Sequence, residues 1–251
     1  MKLHHIKFQK ILAVLLAILT LVGGLFGLCR AVASARAYDI APLTDERLAE
    51  LDLTGITHLM IVAHPDDETL WGGAHIADGG YLVVCITNGY NATRSAEFQA
   101  VMQASNNVGL ILSYPDKVAG KRDDWTHVRS QIQTDLEKVM TYQPWEDIVT
   151  HNAKGEYGHI HHKMTHQKVT ALYDASQLQE PLYVFGKYYR AVTLPDVQDS
   201  LTPISDDALQ QKEALLQLYT SQAHTIQNLS HMNPYEMWTQ IRGGSTDDDN
   251  T

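Results

Sequence analysis

The chain has 251 residues, 44% hydrophobic and 19% charged, which favours one well-filled α/β domain, or at most two small ones, over disorder. Five of its 19 basic residues lie in segment 1–37, which has no acid, so the rest of the chain has 14 basic and 29 acidic residues. A body this acidic repels phosphate backbones, which excludes nucleic acid as an expected partner.

The N-terminal segment carries a targeting signal. Residues 11–28, "ILAVLLAILTLVGGLFGL", form an uncharged apolar run close to the roughly 20 residues that span a bilayer. Lys2, Lys7 and Lys10 precede it, which favours a cytoplasmic N-terminus. Segment 1–37 is therefore predicted to be a single-pass membrane anchor with the catalytic domain outside the cytoplasm. The alternative is a cleaved signal peptide and a secreted protein, because "AVASARA" offers small residues at the spacing of a cleavage site.

The two cysteines predict neither a disulfide framework nor a thiolate metal site. Cys29 borders the apolar run, and Cys85 lies within the strand-like segment "YLVVCITNG". Cys85 is most simply a small buried hydrophobic residue. Any metal must therefore be held by nitrogen and oxygen atoms.

Apolar runs alternate with helical segments after a linker and short first helix at 38–57, which predicts a doubly wound, mostly parallel (Rossmann-like) α/β sheet. The domain is predicted at 58–240 and a polar tail at 241–251. The predicted strands are 58–63, 81–87, 108–113, 146–151 and 181–186. The predicted helices are 68–78, 94–107, 126–142, 162–177 and 205–222.

The first strand runs directly into "HPDDE", residues 64–68, at the edge of the sheet where ligands bind in such folds. Because Asp66 and Asp67 are adjacent, their side chains point differently and can do different jobs. One carboxylate can bind a metal while the other takes a proton from water. The alternative is an ordinary helix N-cap followed by a second acid that favours the helix dipole.

A second polar motif, "GEYGHIHHKMTH" at 155–166, holds four histidines within eight positions. His162 and His166 stand at i and i+4, on one face of a helix, so both are possible ligands. A packed histidine is the more common role for His166, and also for His151 at the end of the fourth strand.

These two motifs resemble the signatures of the PIG-L/LmbE-like zinc-dependent N-deacetylases. "AHPDDETLWGGAHIADGGYLVVCITNG" is similar to the opening motif, and "GEYGHIHHKMTH" to the second, a Gly-His-x-Asp-His followed by a further His. The segment "KEALLQLYTSQ" at 212–222 is a weaker match to the C-terminal helix of the family. The resemblance covers roughly residues 58–222.

The resemblance implies a zinc ion bound by His64, Asp67 and His162, with Asp66 as the general base. It implies that His159 stabilises or protonates the tetrahedral intermediate. Three protein ligands and one open position are what a catalytic zinc requires.

Position 161 departs from the family motif, which has an acid there that is thought to orient the catalytic histidine. A neutral His161 can accept one hydrogen bond, whereas a protonated one would repel a neighbouring imidazolium. Another acid, such as Glu156, is a possible substitute.

Three further residues are candidates for contacts with the substrate. Tyr157 is expected to donate its hydroxyl to the developing oxyanion, the alternative being an ordinary aromatic loop residue. Arg94 and Asn88 are predicted to bind substrate, although an ion pair between Arg94 and Glu97 is an equal alternative for the arginine.

The function implied by the resemblance is removal of an N-acetyl group from an amino sugar of the N-acetylglucosamine type. A membrane anchor would add a lipid-linked or cell-envelope glycan as the partner. Two alternatives stay open: a zinc amidase that acts on another acyl amide, and a non-catalytic glycan-binding relative.

Overall fold

A computed structural model describes residues 2–244, without the side chains of residues 2–14, 30, 33 and 34. Its main feature is a six-stranded sheet in the order β3-β2-β1-β6-β7-β8, in which the first five strands are parallel and β8 is antiparallel to β7. The strands are β1 (His58–Val62), β2 (Tyr81–Thr87), β3 (Val108–Tyr114), β6 (Asp147–Thr150), β7 (Leu182–Val184) and β8 (Thr239–Arg242).

Helices cover both faces of this sheet. They are α2 (Asp45–Ala49), α3 (Asp67–Ile76), α4 (Ala92–Ala104), α5 (Arg129–Met140), α6 (Ile160–Ser176), α7 (Asp206–Leu216) and α8 (Ala223–Leu229). Helix α1 (Lys2–Arg36) precedes them, and its described side chains belong to neither core. Within β1, Leu59 and Ile61 pack into the core shared with α5 and α6, while Met60 and Val62 pack into the core shared with α3, α4 and α7. Because both faces are covered, the strands are apolar throughout, and the prediction of a mostly parallel, doubly wound sheet is confirmed.

The sequence patterns missed helix α8 and two parts of the β-structure. Strand β8 spans the predicted boundary between the domain and the polar tail. It was missed because an exposed edge strand needs no continuous apolar run. A small antiparallel hairpin, β4 (Lys117–Val118) with β5 (Lys121–Arg122), was also not predicted. Cys85 is fully buried in β2, as expected.

Helix α1 contains the apolar run 11–28, part of which falls on side chains outside the described ones. Among the described residues, no helix combines the length and the apolar character needed to cross a membrane. The predicted transmembrane helix is therefore not supported by the structure.

The order of the strands determines where a ligand can bind. From β1 the chain proceeds to β2 and β3 on one side, whereas β6 and β7 lie on the other side. The carboxyl ends of β1 and β6 thus border the point at which the strand order reverses, which is the usual ligand crevice of such sheets.

Candidate active site

The turn between β1 and α3 holds Asp66 in a strained conformation. Its φ of 113° and ψ of −27° lie in the left-handed region, which a non-glycine residue rarely adopts. Although Asp66 precedes the first residue of α3, its side chain makes no capping hydrogen bond. The alternative of an ordinary helix cap is therefore wrong, and the carboxylate is free for another task.

Glu68 stabilises this turn through hydrogen bonds. Its Oε2 accepts the backbone N–H of Asp66 at 3.1 Å, and its Oε1 accepts the hydroxyls of Thr69 and Tyr219, each at 2.6 Å. Glu68, Thr69 and Tyr219 are all fully buried. Because Tyr219 belongs to the C-terminal motif "KEALLQLYTSQ", this motif supports the loop of the first motif.

Asp67 and two histidines beside it form a buried donor set. His64 Nδ1 lies 3.1 Å from Asp67 Oδ2, and His162 Nε2 lies 3.1 Å from Asp67 Oδ1. All three residues are buried, and the ligand atoms they offer lie within 4.8 Å of one another. Burial acts to raise the pKa of Asp67, but His162 and His64 outweigh it and hold that pKa well below its ordinary value.

Glu156 determines which nitrogen of His162 is available. The two side chains are fully buried, and Glu156 Oε2 lies 2.5 Å from His162 Nδ1. Since burial is outweighed by His151 and His162, the pKa of Glu156 falls to about 2 and its carboxylate is ionised. It therefore accepts the Nδ1 proton, so that a neutral His162 has its lone pair on Nε2.

The donor set fits a divalent metal such as zinc. His162 Nε2 is buried and has no hydrogen-bond partner, although Asp67 Oδ1 lies 3.1 Å away. An unpartnered buried nitrogen is costly unless a cation binds there. Two imidazole nitrogens and one carboxylate are also the ligand types that catalytic zinc sites use.

The Asp66 carboxylate lies beside this donor set in a low-dielectric environment. Burial, and then the charge of Asp67, raise the pKa of Asp66 to about 8. A carboxylate of this kind is a stronger base than an exposed one. Arg94 contacts it, with Nη2 3.4 Å from Asp66 Oδ2, and also donates to the carbonyl oxygen of Pro65. The arginine thus contacts the base instead of forming the ion pair with Glu97.

His159 and Tyr157 place two donors at the same cavity. The Nδ1 of His159 accepts the backbone N–H of His161 at 3.3 Å, which leaves the ring proton on Nε2. Burial, and then the neighbouring His64, lower the pKa of His159 to about 2, which favours a neutral imidazole and, of the two roles implied for His159, stabilisation of the intermediate over its protonation. Burial also raises the pKa of Tyr157, which keeps its hydroxyl proton.

The other histidines of the cluster do not reach the donor set with a free nitrogen. His151 is buried, and its Nε2 accepts the backbone N–H of Ala63 at 3.0 Å. His166 donates from Nδ1 to the carbonyl oxygen of His151 at 2.9 Å. His161 is fully buried and lies 3.0 Å from His64, as measured between its Nδ1 and His64 Nε2. Glu156 contacts His162 and His151, so it does not substitute for an acid that orients His159.

His64, Asp66, Asp67, Tyr157 and His159 line a cavity of about 770 Å³. Asn88, with a φ of 72°, lines it and donates from Nδ2 to the hydroxyl of Thr87. Short polar side chains of α4, α8 and the segment before α8 form the outer wall. These wall residues are Asn91, Thr93, Ser221, Gln222, Thr225 and Asn228.

The geometry agrees with the comparisons with known proteins. Residues 59–173 match the sequence model of PIG-L, described as GlcNAc-PI de-N-acetylase. Residues 59–173 belong to the PIG-L family. The matched region contains every predicted catalytic, metal-ligating and substrate-binding residue, but it ends before the C-terminal motif that carries Tyr219.

Individual relatives of the PIG-L domain are distant. An uncharacterised protein of Acanthamoeba polyphaga mimivirus is 32% identical over 153 residues, which cover 54% of this chain and 63% of the relative. A deacetylase of the teicoplanin biosynthesis pathway has a TM-score of 0.53 at 16% identity, over 76% of this chain and all of that one. The zinc-inhibited form of a teicoplanin deacetylase has a TM-score of 0.52 at 14% identity, over the same shares. These two structures show the fold.

Sequence reasoning missed the residues that support the PIG-L site. Glu68 stands inside the quoted first motif, and Tyr219 inside the C-terminal one, so their positions were available without their roles. Asp116 lies 3.4 Å from His64 Nε2, in a segment that no motif covers. Its position just after the carboxyl end of β3 was the signal that could have drawn attention to it.

Proposed function

We propose that this chain is a metal-dependent deacetylase that hydrolyses the N-acetyl group of an amino sugar of the N-acetylglucosamine type. The observation that carries the proposal is the buried Asp66 carboxylate, free of capping bonds, beside the His64, Asp67 and His162 donor set on the floor of a cavity. A base next to a Lewis-acid site is the arrangement needed for hydrolysis of an unactivated amide.

His64, Asp67 and His162 would hold the metal, and zinc suits two imidazoles and a carboxylate. When bound, such an ion supplies Lewis-acid polarisation of the acetyl carbonyl and acidifies water.

The side chains of this chain then divide the proton transfers. Asp66 takes a proton from the water that attacks the acetyl carbonyl and returns it to the amine as the C–N bond breaks. The Nε2–H of His159 and the hydroxyl of Tyr157 are donors for the oxyanion that develops at the carbonyl oxygen. Acetate and the free amino sugar are the products.

The nature of the substrate is supported by family membership and by the walls of the cavity. The description of the family model, GlcNAc-PI de-N-acetylase, names an N-acetylglucosamine substrate. Two structural relatives are teicoplanin deacetylases. The hydroxyl and amide side chains of the wall suit sugar hydroxyls. Asn88 and Arg94 are the proposed substrate contacts at the floor. A lipid-linked or cell-envelope glycan is the substrate we propose.

The test is acetate release by the purified full chain, loaded with Zn²⁺, from N-acetylglucosaminyl lipids, envelope glycans and soluble N-acetylglucosamine conjugates. Asp66→Asn should bind Zn²⁺ as wild type does but lose at least about 100-fold in rate, the order expected for a general base. Asp124→Asn, which changes an exposed aspartate, is the matched control.

Two results would contradict the proposal. Release of a different acyl group without acetate would indicate the alternative amidase. Glycan binding without turnover, in wild type and Asp66→Asn alike, would indicate a non-catalytic relative.

The location outside the cytoplasm, attached to a membrane through the N-terminal segment, is a separate proposal. It is supported by the apolar run 11–28 and the lysines before it, and by exposed apolar residues of α1 such as Leu21 and Phe26. Fractionation of cells that produce the chain, with protease treatment from outside, tests it. Recovery in the cytosolic fraction would refute it.

A further inference from the structure

The imidazole of His64 has a second set of polar neighbours on the side away from Asp67. Its Nε2 lies 3.0 Å from His161 Nδ1 and 3.4 Å from Asp116 Oδ1. These two atoms are themselves 3.6 Å apart. One nitrogen of His64 thus faces the donor set, and the other faces a pair of groups from α6 and from the segment before β4.

The surroundings of His161 fix the position of its proton. Its Nε2 lies 2.7 Å from the carbonyl oxygen of Asp123, which can only accept, so this nitrogen carries a proton. A neutral imidazole carries only that one ring proton. Its Nδ1 therefore has a lone pair, and at 3.0 Å the only possible donor between the two rings is Nε2–H of His64.

We propose that His161 and Asp116 are positioning residues for His64: by accepting the proton on Nε2, they keep the lone pair of Nδ1 directed at the metal. This inference rests on the proposed function, because it assumes a metal at the donor set. It gives His64 the same kind of support that Glu156 gives His162, and metal-binding histidines usually have such a partner.

Both positioning residues are held firmly. The ring of His161 is fully buried and stacks on Trp125, with centroids 4.3 Å apart and planes at 10°. Asp116 is ion-paired with Arg122 of β5. The segment before the hairpin thus brings a carboxylate to His64 from outside the histidine motif.

The inference explains the departure from the family motif at position 161. A histidine there does not need to act as an acid toward His159, since its ring nitrogen points at His64. A neutral His161 is sufficient to accept the proton of His64, because Asp116 supplies the negative charge beside the same nitrogen.

Two substitutions of His161 separate its hydrogen bond from its packing. Phenylalanine keeps a flat ring for stacking on Trp125 but removes the acceptor, whereas asparagine keeps an acceptor near the position of Nδ1 but removes the ring. Asp116→Asn tests the carboxylate. His127→Phe, at an exposed histidine, is the matched control.

The experiment titrates the metal-free full chain with Zn²⁺ against a chelating dye, and with Co²⁺ by its absorption spectrum, which reports ligand geometry. We expect about 10–100-fold weaker Zn²⁺ binding and an altered Co²⁺ spectrum for His161→Phe, and weaker binding for Asp116→Asn. His161→Asn and the control should bind within about threefold of wild type. Circular dichroism checks that each metal-free variant is folded.

Three outcomes would overturn the inference. Wild-type affinity in His161→Phe would show that the acceptor is not needed, and unchanged affinity in Asp116→Asn would remove the carboxylate from the pair. Equal loss in His161→Asn and His161→Phe would assign His161 a packing role alone. If wild type binds neither ion, the proposed function fails together with the inference, whereas tight binding by wild type and all variants refutes the inference alone.

Discussion

Replacing Glu156 with glutamine tests whether this carboxylate fixes the tautomer of a metal ligand. Glu156 accepts three hydrogen bonds: Oε2 from His162 Nδ1 at 2.5 Å and His151 Nδ1 at 3.0 Å, and Oε1 from the backbone N–H of Asn152 at 2.9 Å. All three partners are donors, so a carboxylate satisfies each of them. A glutamine of the same size has one acceptor oxygen and one donor NH2 group.

Both orientations of the glutamine carry a cost. If its oxygen faces the imidazoles, the N–H of Asn152 faces a donor, and a buried unsatisfied group costs about 1–3 kcal/mol. If its NH2 group faces them, the proton of His162 moves to Nε2, the atom that should ligate the metal. We therefore expect about 10–100-fold weaker Zn²⁺ binding. The melting temperature of the metal-free protein should fall by roughly 2–4 °C for each kcal/mol lost.

Two assays measure these effects on the same sample. Dye competition gives the Zn²⁺ affinity, and calorimetry of the metal-free chain gives the melting temperature. Glu137→Gln, on the exposed face of α5, is the matched control and should match wild type in both. Unchanged Zn²⁺ affinity in Glu156→Gln would refute the reasoning, because the tautomer of His162 would then not depend on this carboxylate.

Two further predictions concern buried polar contacts made by residues of the C-terminal motif "KEALLQLYTSQ". Lys212→Met should destabilise the fold by about 3–5 kcal/mol in urea unfolding. The substitution removes the lysine cation whose Nζ lies 2.8 Å from Oε1 of the buried Glu236. A loss of stability below about 1 kcal/mol would contradict this prediction. Tyr219→Phe removes the 2.6 Å hydrogen bond to Glu68 and should cost about 1–2 kcal/mol. It should also slow acetate release at unchanged Zn²⁺ affinity, because the turn that positions Asp66 loses a supporting hydrogen bond. Full activity would show that Glu68 holds the turn without Tyr219.

The fold was largely predictable because its strands are buried on both faces. A continuous apolar run such as Tyr81–Thr87, bounded by turn residues, predicts a strand wherever helices cover both sides of a sheet. Strand β8 follows no such rule, since an edge strand is defined by its hydrogen bonds to β7 and needs few apolar residues. The hairpin β4–β5 has only two residues in each strand, too few to show a pattern.

The sequence by itself determined the chemical types at the site and the edge of the sheet where they meet. His64, Asp66 and Asp67 follow directly from the end of a predicted strand, and the resemblance between motifs added His159 and His162. Local order is sufficient for this, because the residue after a parallel strand must lie at the carboxyl edge.

The tertiary structure alone decided which group supports which. Glu156 turned out to orient His162, and His161 to face His64 from 97 positions away. It also brought Asp116, just before an unpredicted hairpin, to the same imidazole. Such pairings depend on the directions of side chains that meet across separate elements. Where two ring nitrogens face each other, the proton between them can reside on only one of the two. Packing in three dimensions sets these side-chain directions, and the spacing of residues along the chain does not predict them.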